Sequence, residues 1–328
     1  MKRRDFAIAS AGGTLSAISP FTWAQTGPYP NRPVNLVIPF APGGTTDIIA
    51  RVVAERVQQH FGQPMVPVNR AGGGGVVGAQ EIARAAPDGY NLGMATVSTT
   101  ATNPAINPRN PYDPIKDFTP ITNIAATPNV IVVHPSFPAK DYKTFVDVVK
   151  KNPGRFSYAS SGTGGIGHLQ MELYKVLSGT FMVHIPYRGA GPALNDVVGG
   201  QVPIMIDNMP SAIPFIQSGR LVPIVVAATK RLQQFPNVPT FAEIPNLAPV
   251  NRLAYYGIWG PANLPRDVVD RVYTAVNRTL QDPAVRKRIE DTGSDVLGNR
   301  PEEFAKQILD EFNVYKRIVA EQKLKLDA

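Results

Sequence analysis

Two runs of glycine and hydroxyl residues carry the chemistry for which this chain is best equipped. Pro42-Gly43-Gly44-Thr45-Thr46-Asp47 joins an apolar, β-branched stretch at 34–40 to a segment with apolar residues at 48, 49, 52, 53 and 57, the spacing of one helix face. Ser160-Ser161-Gly162-Thr163-Gly164-Gly165 stands in the same position ahead of the helical pattern that carries His168. Glycines let backbone N–H groups turn toward a ligand without a Cβ in the way, and a helix start adds unpaired donors and a partial positive charge. That combination suits a carboxylate. One helix terminus contributes about 0.3–1 kcal/mol when exposed and up to ~2 when partly buried. Micromolar binding needs about 8 kcal/mol, so several donors must converge in a closed cleft. The competing readings are structural: Thr45 or Thr46 caps the helix, Asp47 is a first-turn dipole partner, and the second run is a capped turn. Asp47 would repel a carboxylate directly, so a ligand role for it runs through water or through a donor on the ligand.

Other chemistries find little support. Cysteine is absent, which excludes disulfides, thiolate metal sites and a cysteine nucleophile. The four histidines, His60, His134, His168 and His184, form no local metal motif. Residues 73–78 and 162–167 both match G-x-G-x-x-G, yet the regions about 20 residues on, Val97-Ser98-Thr99 and Met182-Val183-His184, hold no acid for a cofactor ribose. There is no Gly-Lys-Ser/Thr phosphate loop, no G-x-S-x-G elbow and no H-E-x-x-H. Asp207, at the end of a strand-like run, either faces a cleft or caps the helix near Ser211. His168 either faces the cleft or packs, and Arg188 is either an anion partner or a solvated side chain. Neither a cofactor nor a metal is expected, and the chain does not read as an enzyme.

The elements that must position these loops alternate between short apolar runs and amphipathic segments, the pattern of α/β proteins. Strands are expected at 34–40, 65–68, 92–96, 121–125, 129–133, 156–160, 182–186, 202–206, 222–228 and 254–259. Helices are expected at 47–61, 80–85, 142–151, 167–177, 192–198, 211–217, 266–281, 283–292 and 301–323. Residues 103–120 and 235–249 are rich in proline and read as surface connections. Two βα blocks with two such connections predict two lobes, each a mostly parallel sheet flanked by helices. The division falls at 25–125 plus 252–328 for one lobe and 126–251 for the other. A cleft between them, at the carboxyl ends of the strands, is where open α/β sheets bind ligands. Trp259 reads as core or hinge packing.

With 328 residues, 43% of them hydrophobic and 18% charged, the chain can bury sizeable cores and is not compositionally disordered. Residues 1–24 read as a secretion signal of the twin-arginine type: Lys2-Arg3-Arg4-Asp5-Phe6, a short run of small and apolar residues, Pro20, and Thr22-Trp23-Ala24 as a cleavage site. The apolar run is too short to span a bilayer. The expected location is the periplasm. The formal charge is +8, and removing the signal leaves about +6, scattered rather than clustered, which argues against nucleic-acid binding.

Pro42-Gly43-Gly44-Thr45-Thr46-Asp47-Ile48-Ile49-Ala50-Arg51, Val68-Asn69-Arg70, Pro87-Asp88-Gly89-Tyr90, Tyr112-Asp113-Pro114, Tyr158-Ala159-Ser160-Ser161-Gly162-Thr163-Gly164, Pro186-Tyr187-Arg188-Gly189 and Gly199-Gly200-Gln201-Val202 resemble, in this order, the signatures of the tripartite tricarboxylate transporter substrate-binding proteins, the Bug family. The resemblance implies a periplasmic Venus-flytrap protein that closes on a small mono- or dicarboxylate. It places Phe40, Gly43, Gly44, Thr45 and Asp47 in one loop facing Ser160, Ser161, Gly162 and Thr163 in the other, their backbone donors and bridging waters holding one carboxylate. Thr96, Ser98, His168, Tyr187 and Asp207 match positions that line the rest of the pocket. Arg188 stands where lysine is frequent, and Gly165 where serine is frequent, losing one possible hydroxyl contact. The implied partner is a two-component membrane permease, and the chain is expected to be a monomer outside the membrane. A periplasmic enzyme or a ligand-sensing partner on the same fold is the alternative.

Overall fold

The computed structural model describes residues 28–326. The 1–24 segment, with Trp23, lies outside them. One sheet holds β1 (Val34–Ile38), β2 (Met65–Asn69), β3 (Asn91–Thr96), β4 (Phe118–Thr127), β10 (Ala254–Pro261) and β11 (Asp295–Val296), in the order β11-β4-β10-β3-β1-β2. The other holds β5 (Asn129–Val133), β6 (Ser157–Ser160), β7 (Val183–Pro186), β8 (Ile204–Asn208) and β9 (Val222–Ala227), in the order β7-β6-β8-β5-β9. The helices in chain order are α1 (Thr45–Phe61), α2 (Val76–Ala83), α3 (Asn103–Ile106), α4 (Tyr142–Lys151), α5 (Ile166–Ser178), α6 (Ala190–Val198), α7 (Met209–Gln217), α8 (Arg266–Gln281), α9 (Pro283–Glu290) and α10 (Pro301–Glu321). Among the described residues no helix is long and apolar enough to cross a membrane.

Two lobes of mixed α/β structure are present, but the sheets are mixed rather than mostly parallel. β1 runs parallel to β2 and β3, and β6 parallel to β7 and β8, whereas β10 is antiparallel to β3 and β4, and β5 to β8 and β9. A parallel neighbour needs a crossover on its own sheet, usually a helix. β5 and β10 are instead delivered from the opposite lobe, β5 through Pro128 and β10 through the proline-rich stretch, so that constraint does not act on them. β4 continues to Thr127, which puts the first passage between sheets two residues later than 125/126.

The 103–120 connection also differs from expectation. A wide helical turn at Ser98–Thr102 runs into α3, where Pro104 sits in the first turn, a position at which its fixed φ and missing N–H cost nothing. The core of the first lobe centres on Trp259, which stacks on Phe118 with ring centroids 3.6 Å apart and planes 5° apart. Gly93 leaves the space for it: a Cβ there would lie 3.0 Å from Trp259 Nε1 and 2.7 Å from Ile82 Cγ1. At the passages between lobes, Asn129 Nδ2 donates to Gln170 Oε1 (2.7 Å) and to the Arg252 carbonyl (3.1 Å), while Gln170 Nε2 donates to the Val250 and Arg252 carbonyls. The buried amides thus satisfy the irregular backbone where the chain crosses.

Candidate functional site

A narrow cavity of about 20 Å³ lies between the two sheets. The first lobe lines it with Phe40, with Gly44, Thr45 and Thr46 at the start of α1, with Thr96, Val97 and Ser98 after β3, and with Ala254, Tyr255 and Tyr256 of β10. The second lobe answers with Ser161, with Ile166 at the start of α5, Ala190 at the start of α6 and Asn208 at the start of α7. No charged side chain is in this lining. Its positive character comes from the backbone: the starts of α1, α5, α6 and α7 converge on the space, and none is capped by the side chain of its own N-cap residue, although Ser98 Oγ takes the Ile166 N–H of α5, and the Pro128 carbonyl and Thr45 Oγ1 take the Met209 and Ser211 N–H groups of α7. Away from the cavity, α4 and α9 are capped by Asp141 and Asp282, while α2, α3 and α8 have no side-chain cap. Helix starts left uncapped on one side of a protein are anion sites in waiting.

Thr45 does not cap α1; Gly44 does, and Thr45 faces across the cleft. Its Oγ1 lies 2.9 Å from Ser211 Oγ and accepts the Ser211 N–H at 3.2 Å, and the Tyr256 hydroxyl is also bonded to it. Ser211 Oγ in turn donates to Asp207 Oδ2 at 2.7 Å. Asp207 is buried, which pushes its carboxyl up to about 7 against the opposing hydrogen bonds from Ser211 and from the Asn208 N–H. Burial likewise raises the Tyr256 hydroxyl well above its ordinary value. Tyr255 turns its hydroxyl onto Thr100, so both tyrosines have their hydroxyls bonded within the protein.

Asp47 shapes the first loop from behind. Its carboxylate accepts from the Gly43 N–H (3.1 Å), Arg51 Nε (2.9 Å) and Asn69 Nδ2 (3.0 Å), and Asn69 also donates to the Phe40 carbonyl. Burial raises the Asp47 pKa, but the hydrogen bonds from Arg51, Asn69 and Gly43 outweigh it, and the carboxyl sits below its usual range. A lowered folded pKa means that the stabilisation is complete above the ordinary value of about 3.9 and is lost as pH falls through the lowered one. Asp47→Ala is expected to cost about 1–3 kcal/mol, toward the lower end because Arg51 is half exposed and screened. Urea unfolding at neutral pH checks this, and the wild-type advantage should shrink on acidification.

The second loop rests on a stack of rings. His168 and His184 lie parallel with centroids 4.0 Å apart, and Tyr158 stacks on the outer face of His184. His168 Nδ1 accepts from the Gly164 N–H, which fixes it as the unprotonated nitrogen. Ser160 Oγ and His184 Nε2, 2.7 Å apart, have the spacing of a nucleophile and its base, but Ser160 is fully buried and its Oγ also accepts the Gly162 N–H. The pair braces the loop from behind the cavity lining.

The lobes touch directly on both flanks of the cavity, backbone against backbone. On one side the Ala41 N–H donates to the Arg188 carbonyl, and a Cβ on Gly191 would lie 2.2 Å from the Pro42 oxygen. On the other, Gly74 meets the second loop: a Cβ there would lie 2.3 Å from the Thr163 oxygen, and one on Gly162 would lie 2.9 Å from Gly74 N and Cα. The two G-x-G-x-x-G runs therefore pack against each other instead of cradling a cofactor. The 40–47 loop takes the 188–191 loop as its direct neighbour, while 160–165 abuts the glycine run 72–75, with the cavity between the two contacts.

Of the residues singled out in the sequence, Phe40, Gly44, Thr45, Thr96, Ser98 and Ser161 line the cavity. Gly43, Asp47, Ser160, Gly162, Thr163, His168, Tyr187 and Asp207 stand behind the lining, holding or shaping it. Tyr187 turns its hydroxyl away to Asp196 at 2.6 Å. Ser98 Oγ accepts the Ile166 N–H at 3.1 Å and so also bridges the lobes. Sequence reasoning missed Val97, Ile166, Ala190, Asn208 and the Ala254-Tyr255-Tyr256 run. The signal for the last was its place on a strand returning between lobes; the apolar members carry none.

This fold and site define a two-lobed periplasmic binding protein. The chain belongs to the family described as "Tripartite tricarboxylate transporter family receptor", whose model matches residues 49–324. BugT of Bordetella pertussis is 32% identical over 299 residues, covering 91% of each chain. Among solved structures, the periplasmic binding protein BugD is 32% identical with a TM-score of 0.87, over 90% of this chain and 99% of that one. MatC from Rhodopseudomonas palustris with bound malate is 32% identical with a TM-score of 0.85, over 89% of this chain and all of that one. An R. palustris protein with adipate is 30% identical with a TM-score of 0.86, over 90% and 99%.

Proposed function

We propose that the chain is exported to the periplasm, captures a small mono- or dicarboxylate between its lobes, and delivers it to a two-component membrane permease of the tripartite tricarboxylate type. The lobes that close are the segments before and after the second sheet, through Thr127 and from about 252 onward, against the segment between them. The observation that carries this reading is the convergence of four helix starts, none capped by its own N-cap side chain, on a cavity lined by no charged side chain. An anion placed there gains from several partial positive charges at once, with no cation to desolvate. The malate and adipate held by two structural neighbours support the ligand class. The family supports the permease partner, and the twin-arginine start supports export.

The test is calorimetry on unfolded, ligand-stripped and refolded protein, titrated with a panel of mono- and dicarboxylates that includes malate and adipate. At least one acid is expected to bind at micromolar strength or better, a free energy of about 8 kcal/mol. Silence across the panel from well-folded protein would sink the reading. Mass spectrometry of the small molecules released on the initial unfolding identifies the physiological acid.

A further inference from the structure

Asparagine is among the side chains that cap a helix start best, because its Oδ1 accepts from the first free N–H groups. Asn208 stands at the N-cap of α7 and does not cap it. The Pro128 carbonyl takes the Met209 N–H, Pro210 has none, and Thr45 Oγ1 takes the Ser211 N–H. The Asn208 side chain is drawn the other way, where its Nδ2 donates to Asn129 Oδ1. That bond cannot reverse. Gln170 Nε2 faces two backbone carbonyls, of Val250 (3.1 Å) and Arg252 (2.8 Å), which only accept, so Oε1 is the end left for Asn129. Asn129 Nδ2 lies between that Oε1 (2.7 Å) and the Arg252 carbonyl (3.1 Å), again two acceptors, and Asn129 must turn its Oδ1 to Asn208. Three amides in series thus carry one orientation from the backbone of the interlobe passage to the cavity wall.

We infer that Asn208 is a specificity-determining residue that selects carboxylates bearing a hydroxyl or amino donor over the same acids without one, and that Asn129 and Gln170 are positioning residues that fix its acceptor end. The inference rests on the carboxylate reading and deepens it. Asn208 lines the cavity, and Oδ1 is the end of its amide left over. Among the described residues no group donates to that oxygen, and it is not buried. The other polar side chains of the lining are hydroxyls of threonine, serine and tyrosine, which turn to suit a donor or an acceptor. Only the Asn208 amide presents an acceptor whose place is set in advance. The cavity is narrow, so an acid held in it comes against Asn208. Whatever the second Nδ2 proton meets, a ligand without a donor leaves Oδ1 stripped of water and unpaired once the lobes close. An acceptor left in that state weakens binding by about five- to 150-fold relative to a ligand that satisfies it.

The test holds the carbon skeleton fixed and varies the donor. Three series serve: propionate, lactate and alanine; succinate, malate and aspartate; adipate, 2-hydroxyadipate and 2-aminoadipate. Each acid is titrated calorimetrically into ligand-stripped, refolded wild type, Asn208→Leu and Asn129→Leu. In every series that binds, wild type is expected to prefer a donor-bearing member over its parent acid by about five- to 150-fold. The hydroxyl and amino arms show which donor is taken. N208L, which removes no helix cap, should bind the parent acids at least as well as wild type does and lose the preference. N129L frees the Asn208 amide to turn over, so it should still bind acids but discriminate less. A purely structural role for these amides would move stability and leave the ratio between acids unchanged. Wild type binding a parent acid as tightly as both of its donor-bearing partners overturns the inference and leaves the carboxylate reading intact. An unchanged preference in N208L overturns it equally, and an unchanged preference in N129L overturns the positioning role. If N129L does not fold, the wild-type and N208L titrations decide. Silence across all three series from well-folded wild type is the failure of the carboxylate reading itself, and the inference falls with it.

Discussion

Replacing Gly191 by alanine is expected to weaken carboxylate binding by about ten- to 100-fold while leaving the ligand-free protein as stable as before or slightly more so. Gly191 lies in the first turn of α6, where an alanine is the better helix former by up to about 1 kcal/mol. All three atoms that its Cβ would approach, the Pro42 oxygen and carbonyl carbon and the Gly43 Cα, belong to the opposite lobe. With the lobes apart the substitution is clear of these atoms, and on closure it meets a carbonyl at 2.2 Å, far inside contact distance. Overpacking of this kind costs about 1–3 kcal/mol, and each 1.4 kcal/mol is about tenfold in affinity. Calorimetry paired with thermal unfolding of the ligand-free variant separates the two effects. Wild-type affinity in the variant would show that closure does not bring α6 onto the first loop. The same reasoning applies to Gly74, but its positive φ would also strain an alanine before closure. Gly191 is the cleaner test.

Trp259→Ala is expected to remove about 3–5 kcal/mol of unfolding free energy from the first lobe. The indole is 1% exposed, stacked face to face on Phe118, and seated over Gly93 on the strand that returns the chain from the second lobe. Phe118 on β4 and Ile82 on α2 are each held by their own elements, which limits collapse into the space. Urea unfolding followed through the loss of the first transition is the measurement. A cost under about 1 kcal/mol would mean that the lobe relaxes around the void. Trp259→Phe, which keeps a ring against Phe118, should recover much of the loss.

Much of the scaffold was legible before any coordinates. α8 is an example: Val268, Val269, Val272 and Val276 recur at helical spacing and are buried together. The two glycine loops were visible at helix starts for the same kind of local reason. The proline-rich 103–120 stretch misled because proline signals a break wherever it stands, although at the first turn of a helix it fits. The strand directions were misjudged because alternation of strands and helices predicts helical crossovers, and β5 and β10 enter their sheets without one. In the site, the hydroxyl pair Thr45 and Ser211 is separated by 166 residues, and nothing in the spacing of either marks the other as its partner.

What the amino-acid order determined by itself is therefore what depends on the chain within a few residues of itself: the periods, the turns and the glycines at the helix starts. Backbone sterics and side-chain periodicity are local, and they act whatever the rest of the molecule does. Only the tertiary structure decided which loops meet, that the two glycine motifs press on each other, that Tyr255 and Tyr256 line the cavity, and that a buried acid in one lobe is wired to a hydroxyl of the other. Those facts depend on strand register and on the closure of two lobes, which bring together groups that the chain keeps far apart.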